Sequence, residues 1–369
     1  MKGYDTGILT FWNVPNYGTF AQAYALQKVI QVIRKEFDVR QIAHLDQHHY
    51  NFYFDIQSYY GPYKIWEKRF WKSFFVKNKI DEDIERKKAI FLDAYNTIPH
   101  TTDIDRNNVS DVCFNKIFLG SDIIWDFTQE PFNKDEMLFG GLFLANEINA
   151  YAASFGTVKM DEPLPEYVVS NIKKMKNISV RDEKSAEIIQ KITGVYPTIV
   201  LDPVWMWDFE HDKNIEEPNE DNYILVYGQD FTDNFVENLI FYARENGLKI
   251  IALDCNDNHY NWCDKLVRQQ DLNPYLWIGY FKKASAVATS TFHGLTFGLV
   301  FKKKIAFCKS DFILAKVEAF LKQVDLYDLF DNKDDVKKML SYAWDYKKID
   351  EFIESERTLS FKYLEKACV

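Results

Sequence analysis

The sequence is short of cysteine, with five in 369 residues: Cys113, Cys255, Cys263, Cys308 and Cys368. The number is odd and no two are spaced C-x-x-C. That argues against a disulfide framework or a structural zinc site and for buried, reduced thiols. No stretch approaches 18 consecutive apolar residues, so no transmembrane helix is expected. The opening MKGYDTGILTFWNV lacks the basic-then-apolar layout of a signal peptide, and a cytoplasmic protein is the expectation. Positive charge is also in deficit: 45 Lys and Arg against 55 Asp and Glu give a net charge of −10. A general nucleic-acid binder needs a basic surface for its phosphate contacts, so that class is disfavoured. A small anionic substrate remains open, provided a few Arg, Lys, His and helix N-termini build a local positive field. The motifs G-x-x-x-x-G-K-[ST], G-x-G-x-x-G after a strand, G-x-S-x-G and H-E-x-x-H are all missing. P-loop, dinucleotide, hydrolase-elbow and zincin readings lose support accordingly. No metal cluster is legible and no cofactor is expected.

With 47% apolar and 27% charged residues, the chain is globular rather than disordered or collagen-like. Its length suggests about two domains or one large α/β unit. Gly7 to Trp12 reads as a buried strand, followed by the turn-rich Asn13 to Thr19 and a helix from Phe20 to Ile33. This strand, glycine loop and helix open an α/β fold. Further strand-like runs are Lys116–Leu119, ending in Gly120-Ser121-Asp122, Ala150–Ser154, Ile178–Arg181, and Thr198–Leu201, ending at Asp202-Pro203. Their polar residues fall at strand C-termini, where open α/β sheets bind ligands. The acidic, polar segment 211–222 reads as a linker. Beyond it a second α/β pattern begins: strands Tyr223–Tyr227, Lys249–Leu253 and Ser285–Ser290, with helices at Asp233–Asn246 and within Asn273–Lys283. Two such halves suggest domains facing across a cleft. The expected division is 1–210, linker 211–222, 223–345, and a helical tail 346–369 that crosses back onto the first half.

Residues 50–79 crowd aromatic rings with basic side chains, including Trp66, Phe70, Trp71 and Phe74 with Lys64, Lys68, Arg69 and Lys72. Spacings of four place lysines on one helical stripe and rings on another. Such a helix suits peripheral contact with an anionic membrane surface. The favoured reading is an insertion whose rings pack on the main domain, because aromatic stripes are more often core.

Four constellations carry candidate chemistry. In Ser290-Thr291-Phe292-His293-Gly294 a histidine is expected at a strand-to-helix switch beside a helix N-terminus, with a purely structural histidine as the alternative, and the glycine admits a ligand close to the backbone. Arg181, after an apolar strand, either forks onto a carboxylate or phosphate or pairs with Asp182 or another acid. Asn16-Tyr17-Gly18 opens the first helix. Gly120-Ser121-Asp122, with Trp125 beyond it, ends a strand. Ordinary turn chemistry is the alternative for the last two.

Together these segments resemble the polysaccharide pyruvyl transferase family. The matching pieces, in the family's order, are Asn16-Tyr17-Gly18 with Gln22 to Gln27, Leu119 to Trp125, Tyr151 to Gly156, Ile178 to Asp182, Leu201-Asp202-Pro203, and Ser290 to Gly294. Two departures stand out: Ile123 replaces a glutamine, and Thr291 is inserted after Ser290 or substitutes for the serine. The resemblance implies an α/β fold of two Rossmann-like domains facing across a cleft, as in GT-B glycosyltransferases. It also implies transfer of pyruvate from phosphoenolpyruvate to a sugar of a bacterial surface polysaccharide or its lipid-linked precursor, without metal or cofactor. Arg181, His293, Gly294 and, through a small insertion, Lys316 fall on the donor side. His293 serves as acid or phosphate ligand, and Asp122 as a base. Asn16, Tyr17, Gly18 and Ser121 are expected to face the acceptor. A nucleotide-sugar glycosyltransferase and a non-catalytic carbohydrate-binding protein are the alternatives.

Overall fold

In the computed structural model, residues 2–54, 66, 68–132, 134–253 and 260–369 are described, apart from the side chains of 54, 68–70, 72–81, 311, 312, 315 and 316. The chain divides into two compact units, residues 1–207 with 356–369, and residues 208–355.

The first unit is built on β1 (Lys2–Leu9), β2 (Val39–Gln41), β3 (Val112–Leu119), β4 (Ala145–Ala153), β5 (Asn177–Val180) and β6 (Thr198–Ile199). They form one sheet in the order β2-β1-β3-β4-β5-β6, and every pairing is parallel. Parallel pairing needs crossovers. Helices α1 (Tyr17–Ile33), α2 (Gln47–Phe54), α3 (Lys68–Asn96), α4 (Glu166–Ile172) and α5 (Glu183–Thr193) occupy the connections. α1 starts where Asn16 accepts a hydrogen bond from the Thr19 amide, and α5 where Asp182 accepts one from Ser185. Each cap satisfies an amide that the helix itself leaves unpaired. The strands are buried on both faces, so β3 ends in the apolar run Ile117-Phe118-Leu119, with all three fully buried.

The second unit holds β7 (Tyr223–Tyr227), β8 (Lys249–Leu253), β9 (Lys265–Val267), β10 (Ala286–Thr289) and β11 (Lys304–Phe307). They are parallel in the order β11-β10-β7-β8-β9. Its helices are α6 (Asp233–Glu245), α7 (Pro274–Lys283), α8 (Phe292–Val300), α9 (Asp311–Gln323), α10 (Val336–Ser341) and the first turns of α11 (Tyr346–Cys368).

Both sheets reverse their strand order once. In the first unit the reversal lies between β1 and β3, which stay in register to Leu9 opposite Leu119. In the second it lies between β7 and β10, in register to Tyr227 opposite Thr289. At such a switch point neighbouring connections leave in opposite directions and open a crevice beyond the strand C-termini. Asn16 to Gly18 and Ser121-Asp122 follow β1 and β3 at the first, and His293 and Gly294 follow β10 at the second, while Arg181 follows β5 and Lys316 lies on α9.

Candidate functional site

In the first unit, the turn after β3 is Gly120-Ser121-Asp122. Gly120 has φ 104°, and a Cβ there would run into the Tyr151 carbonyl oxygen, so only glycine serves. Ser121 is fully buried and its hydroxyl donates to Gln22 Oε1. Gln22 Nε2 in turn donates to Thr10 Oγ1 at 3.0 Å and to the Thr19 carbonyl at 2.9 Å. This network ties α1 to the turn and leaves Asp122 at its outer edge.

Asp122 Oδ1 accepts from Arg181 Nη2 at 3.2 Å and from the Ile123 amide at 2.8 Å. Oδ2 accepts from Thr19 Oγ1 at 3.3 Å. Arg181, directly beyond β5, also donates through Nη1 to Asp202 Oδ2 at 3.0 Å. The side chains of Arg181, Asp122 and Asp202 are 11%, 13% and 3% exposed. Asp202 is therefore the inner brace and Asp122 the partner that solvent reaches. Burial opposes the arginine's charge, but Asp122, Asp202 and Asp182 outweigh it, and its pKa is raised. The ion pairs are thus with Asp122 and Asp202, while Asp182 caps α5. The brace was missed among the candidates, although an aspartate followed by Pro203 at a strand end is a visible turn signal.

The acceptor-side candidates separate. Asn16 is exposed. Tyr17 is only 3% exposed, its ring 4.9 Å from that of Phe91, and Gly18 and Ser121 are buried. The expectation that Tyr17 and Ser121 present their side chains to a ligand is corrected here: both point into the unit's interior, where ring packing and the Gln22 hydrogen bond hold them.

In the second unit, β10 runs into α8 through Ser290 and Thr291. Thr291 is the N-cap, its hydroxyl accepting from the Gly294 amide at 3.0 Å. It does here what a serine in that place would do. Thr289 Oγ1 donates to the Tyr227 carbonyl at 2.6 Å, binding the turn to β7. A Cβ on Gly294 would collide with that Thr289 hydroxyl. His293 lies in the first turn of α8, half-buried, its ring 5.1 Å from that of Phe292. The positive end of a helix and an imidazole thus share one switch point. Lys316 lies on α9, and its side chain is outside the described residues. Among the described residues, no group of three or more His, Cys, Asp or Glu side chains is placed to hold a metal ion.

The first unit therefore carries an arginine held between Asp122, at the turn after β3, and Asp202, and the second a histidine at a helix start. A model of the family described as polysaccharide pyruvyl transferase matches residues 16–311. The chain belongs to that family. The crystal structure of Arabidopsis thaliana UGT89C1 is similar at 9% identity, covering 100% of both chains with a TM-score of 0.50. UDP-GlcNAc 2-epimerase from Methanocaldococcus jannaschii is similar at 11% identity, over 96% of this chain and 100% of that one, with a TM-score of 0.48. The E. coli heptosyltransferase WaaC with ADP is similar at 10% identity, over 95% and 99%, with a TM-score of 0.39. A search of curated proteins finds no match. The fold of this transferase-family chain is α/β with two parallel Rossmann-like sheets, of the GT-B kind.

Proposed function

We propose that this protein moves pyruvate from phosphoenolpyruvate onto two hydroxyls of a sugar, in a bacterial surface polysaccharide or its lipid-linked precursor, forming a ketal. The observation that carries this reading is the family match over residues 16–311, a span that contains Asp122, Arg181 and His293. In the transfer, a proton adds to the donor's methylene carbon and C2 becomes cationic. One sugar oxygen bonds to C2, and a second hydroxyl displaces phosphate and closes the ring. One sugar proton is thereby replaced on the new methyl group and the other leaves with phosphate.

His293 is assigned the proton donated to the methylene carbon, or the donor's phosphate, with Gly294 giving the backbone room to approach it. Arg181 and Lys316 supply the positive charge for the donor's carboxylate and phosphate. Asp122, the solvent-reached carboxylate of the arginine's pair, takes the acceptor hydroxyl's proton, and Asn16 contacts the acceptor. No cofactor is assigned a step.

The test incubates the protein with phosphoenolpyruvate and a panel of free and lipid-linked glycans. The expected result is the mass gain of one pyruvyl ketal with one phosphate released per transfer. His293→Ala should lower turnover by about a hundredfold or more, and wild-type turnover in that variant ends its assignment as the acid. Protection against heat by nucleotides and not by phosphoenolpyruvate would favour the nucleotide-sugar reading instead.

A further inference from the structure

Beyond β7 the chain turns through Gly228, Gln229, Asp230 and Phe231 into α6. Tyr260, Asn261 and Trp262 return beside this turn, and together with Asp233 they enclose a cavity of about 400 Å³, within the size range of small-molecule pockets. Its aromatic wall is held in place. Phe231 stacks on the buried Phe235 with ring centroids 5.2 Å apart. Trp262 meets Phe231 edge-on at 6.4 Å and lies 6.3 Å from Tyr260, whose hydroxyl donates to the Gly228 carbonyl. The rim differs in kind: Gln229, Asp230, Asp233 and Asn261 are all exposed. Asp230 sits in the left-handed region with φ 57°.

Half-buried rings beside exposed planar carboxylates and amides match the two surfaces of a pyranose. Its C–H face packs on aromatic rings, and its hydroxyls both donate to carboxylates and pair with amides. Two carboxylates in the lining, with no Lys or Arg among its described residues, repel a phosphate or carboxylate ligand, so neither a nucleotide nor phosphoenolpyruvate suits it. An organic cation would satisfy the rings and acids but leave the amides unmatched. The cavity also adjoins the His293 turn: the Gln229 amide donates to Ser290 Oγ at 2.8 Å, and Ser290 Oγ donates to the Gln229 carbonyl at 2.7 Å.

We propose that this cavity is a saccharide-binding subsite, holding a neutral sugar ring of the acceptor glycan beside the His293 turn. The inference rests on the reading that the protein acts on glycans, and its test leaves phosphoenolpyruvate out so that the two fail separately. Glucose, galactose, N-acetylglucosamine and their disaccharides are titrated into the full chain. Binding is read by saturation-transfer NMR and tryptophan fluorescence. At least one of these sugars should bind saturably. Trp262→Ala should weaken that binding about tenfold, and Asp230→Asn about fivefold or more. Asparagine tolerates the left-handed backbone, so the second variant keeps the fold. No saturable binding, affinity unchanged in both variants, or tighter binding of tetramethylammonium or UDP at this cavity would overturn the proposal. Sugar binding here without any phosphate release leaves the subsite standing and removes the transfer reading. Pyruvylation with no sugar bound here does the reverse.

Discussion

His49 shows how a single residue sets a pH limit on this fold. It is 3% exposed, and its Nε2 is buried with no hydrogen-bond partner among the described residues. Its ring packs 4.9 Å from Phe11 and 5.2 Å from Phe132. Burial, reinforced by the neighbouring His44 charge, lowers its pKa from 6.5 to about 4. His44 goes the other way: burial opposes its charge, but the 2.6 Å contact with Asp135 outweighs it and the pKa is raised. Asp135 is correspondingly held ionised against its own burial. The signs follow. Unfolded His49 takes up a proton below about pH 6.5 that the folded state refuses until about 4, so stability falls across that window as pH drops, by roughly 3 kcal/mol in all. The His44 contribution is intact below its unfolded value and fades as pH rises through its folded one. That of Asp135 is intact above its unfolded value and fades as pH falls through its folded one. His49→Phe should therefore cost little at pH 7.5 and raise the urea midpoint at pH 4.5 relative to wild type. A variant-to-wild-type difference that is the same at both pH values would show that His49 is not a buried neutral base.

At the scale of elements, β7 and β8 are legible as strands because they carry largely buried apolar runs of five and four residues, Tyr223–Tyr227 and Ile250–Leu253. β2, β9 and β11 escaped notice: each has three or four residues, and each carries Arg40, Lys265 or Lys304. All three are the outermost strands of their sheets, where solvent on one side permits charge and removes the apolar signature. The positions of Asp122, Arg181 and His293 at element ends could be read from the sequence. The pairing of Arg181 with Asp122 and Asp202 could not, because it joins separate strand ends through the order of the sheet. Nor could the inward turn of Tyr17, since helical spacing does not say which neighbour a ring will meet. The aromatic and basic stretch 50–79 has the same ambiguity. Trp66 is 77% and Trp71 46% exposed, while Lys64 and the side chains of Lys68, Arg69, Phe70, Lys72 and Phe74 lie outside the described residues. No helix among the described residues is long and apolar enough to cross a membrane. Exposed Trp66, ahead of α3, and Trp71, in its first turn, suit the headgroup layer. The full chain should float with phosphatidylserine-containing vesicles at low salt, and Trp66→Ser with Trp71→Ser should abolish this. No flotation of the wild type, or flotation unchanged in the double variant, removes the membrane role.

At the scale of the whole molecule, the first unit is made from two separated stretches of chain, and residues 356–369 complete its core. Leu364 is fully buried, Ala367 is 1% exposed, and both lie in one cluster with Ile8, Leu26, Phe118 and Tyr151. Hydrogen bonds fasten the same stretch: the Leu201 amide donates to Ser360 Oγ at 3.0 Å, Tyr363 to the Ala150 carbonyl at 2.7 Å, and Arg357 to the Trp205 carbonyl at 2.9 Å. Arg34, itself buried and paired with Asp5 at 2.9 Å, donates to the Cys368 carbonyl. Leu364→Ala should cost about 2–5 kcal/mol, the range for emptying a buried leucine site. Deleting 356–369 removes the apolar cover and orphans several buried groups at once, each expensive to leave unpaired. The second unit keeps all five of its strands in that deletion. Calorimetry of the deletion should therefore show the transition of residues 1–207 moved to lower temperature and that of 208–355 little changed. Limited proteolysis with mass mapping assigns the transitions, with early cuts expected within 1–207. Early cuts confined to 208–355, or a melting profile equal to wild type, would mean that the C-terminal stretch does not hold the first unit together.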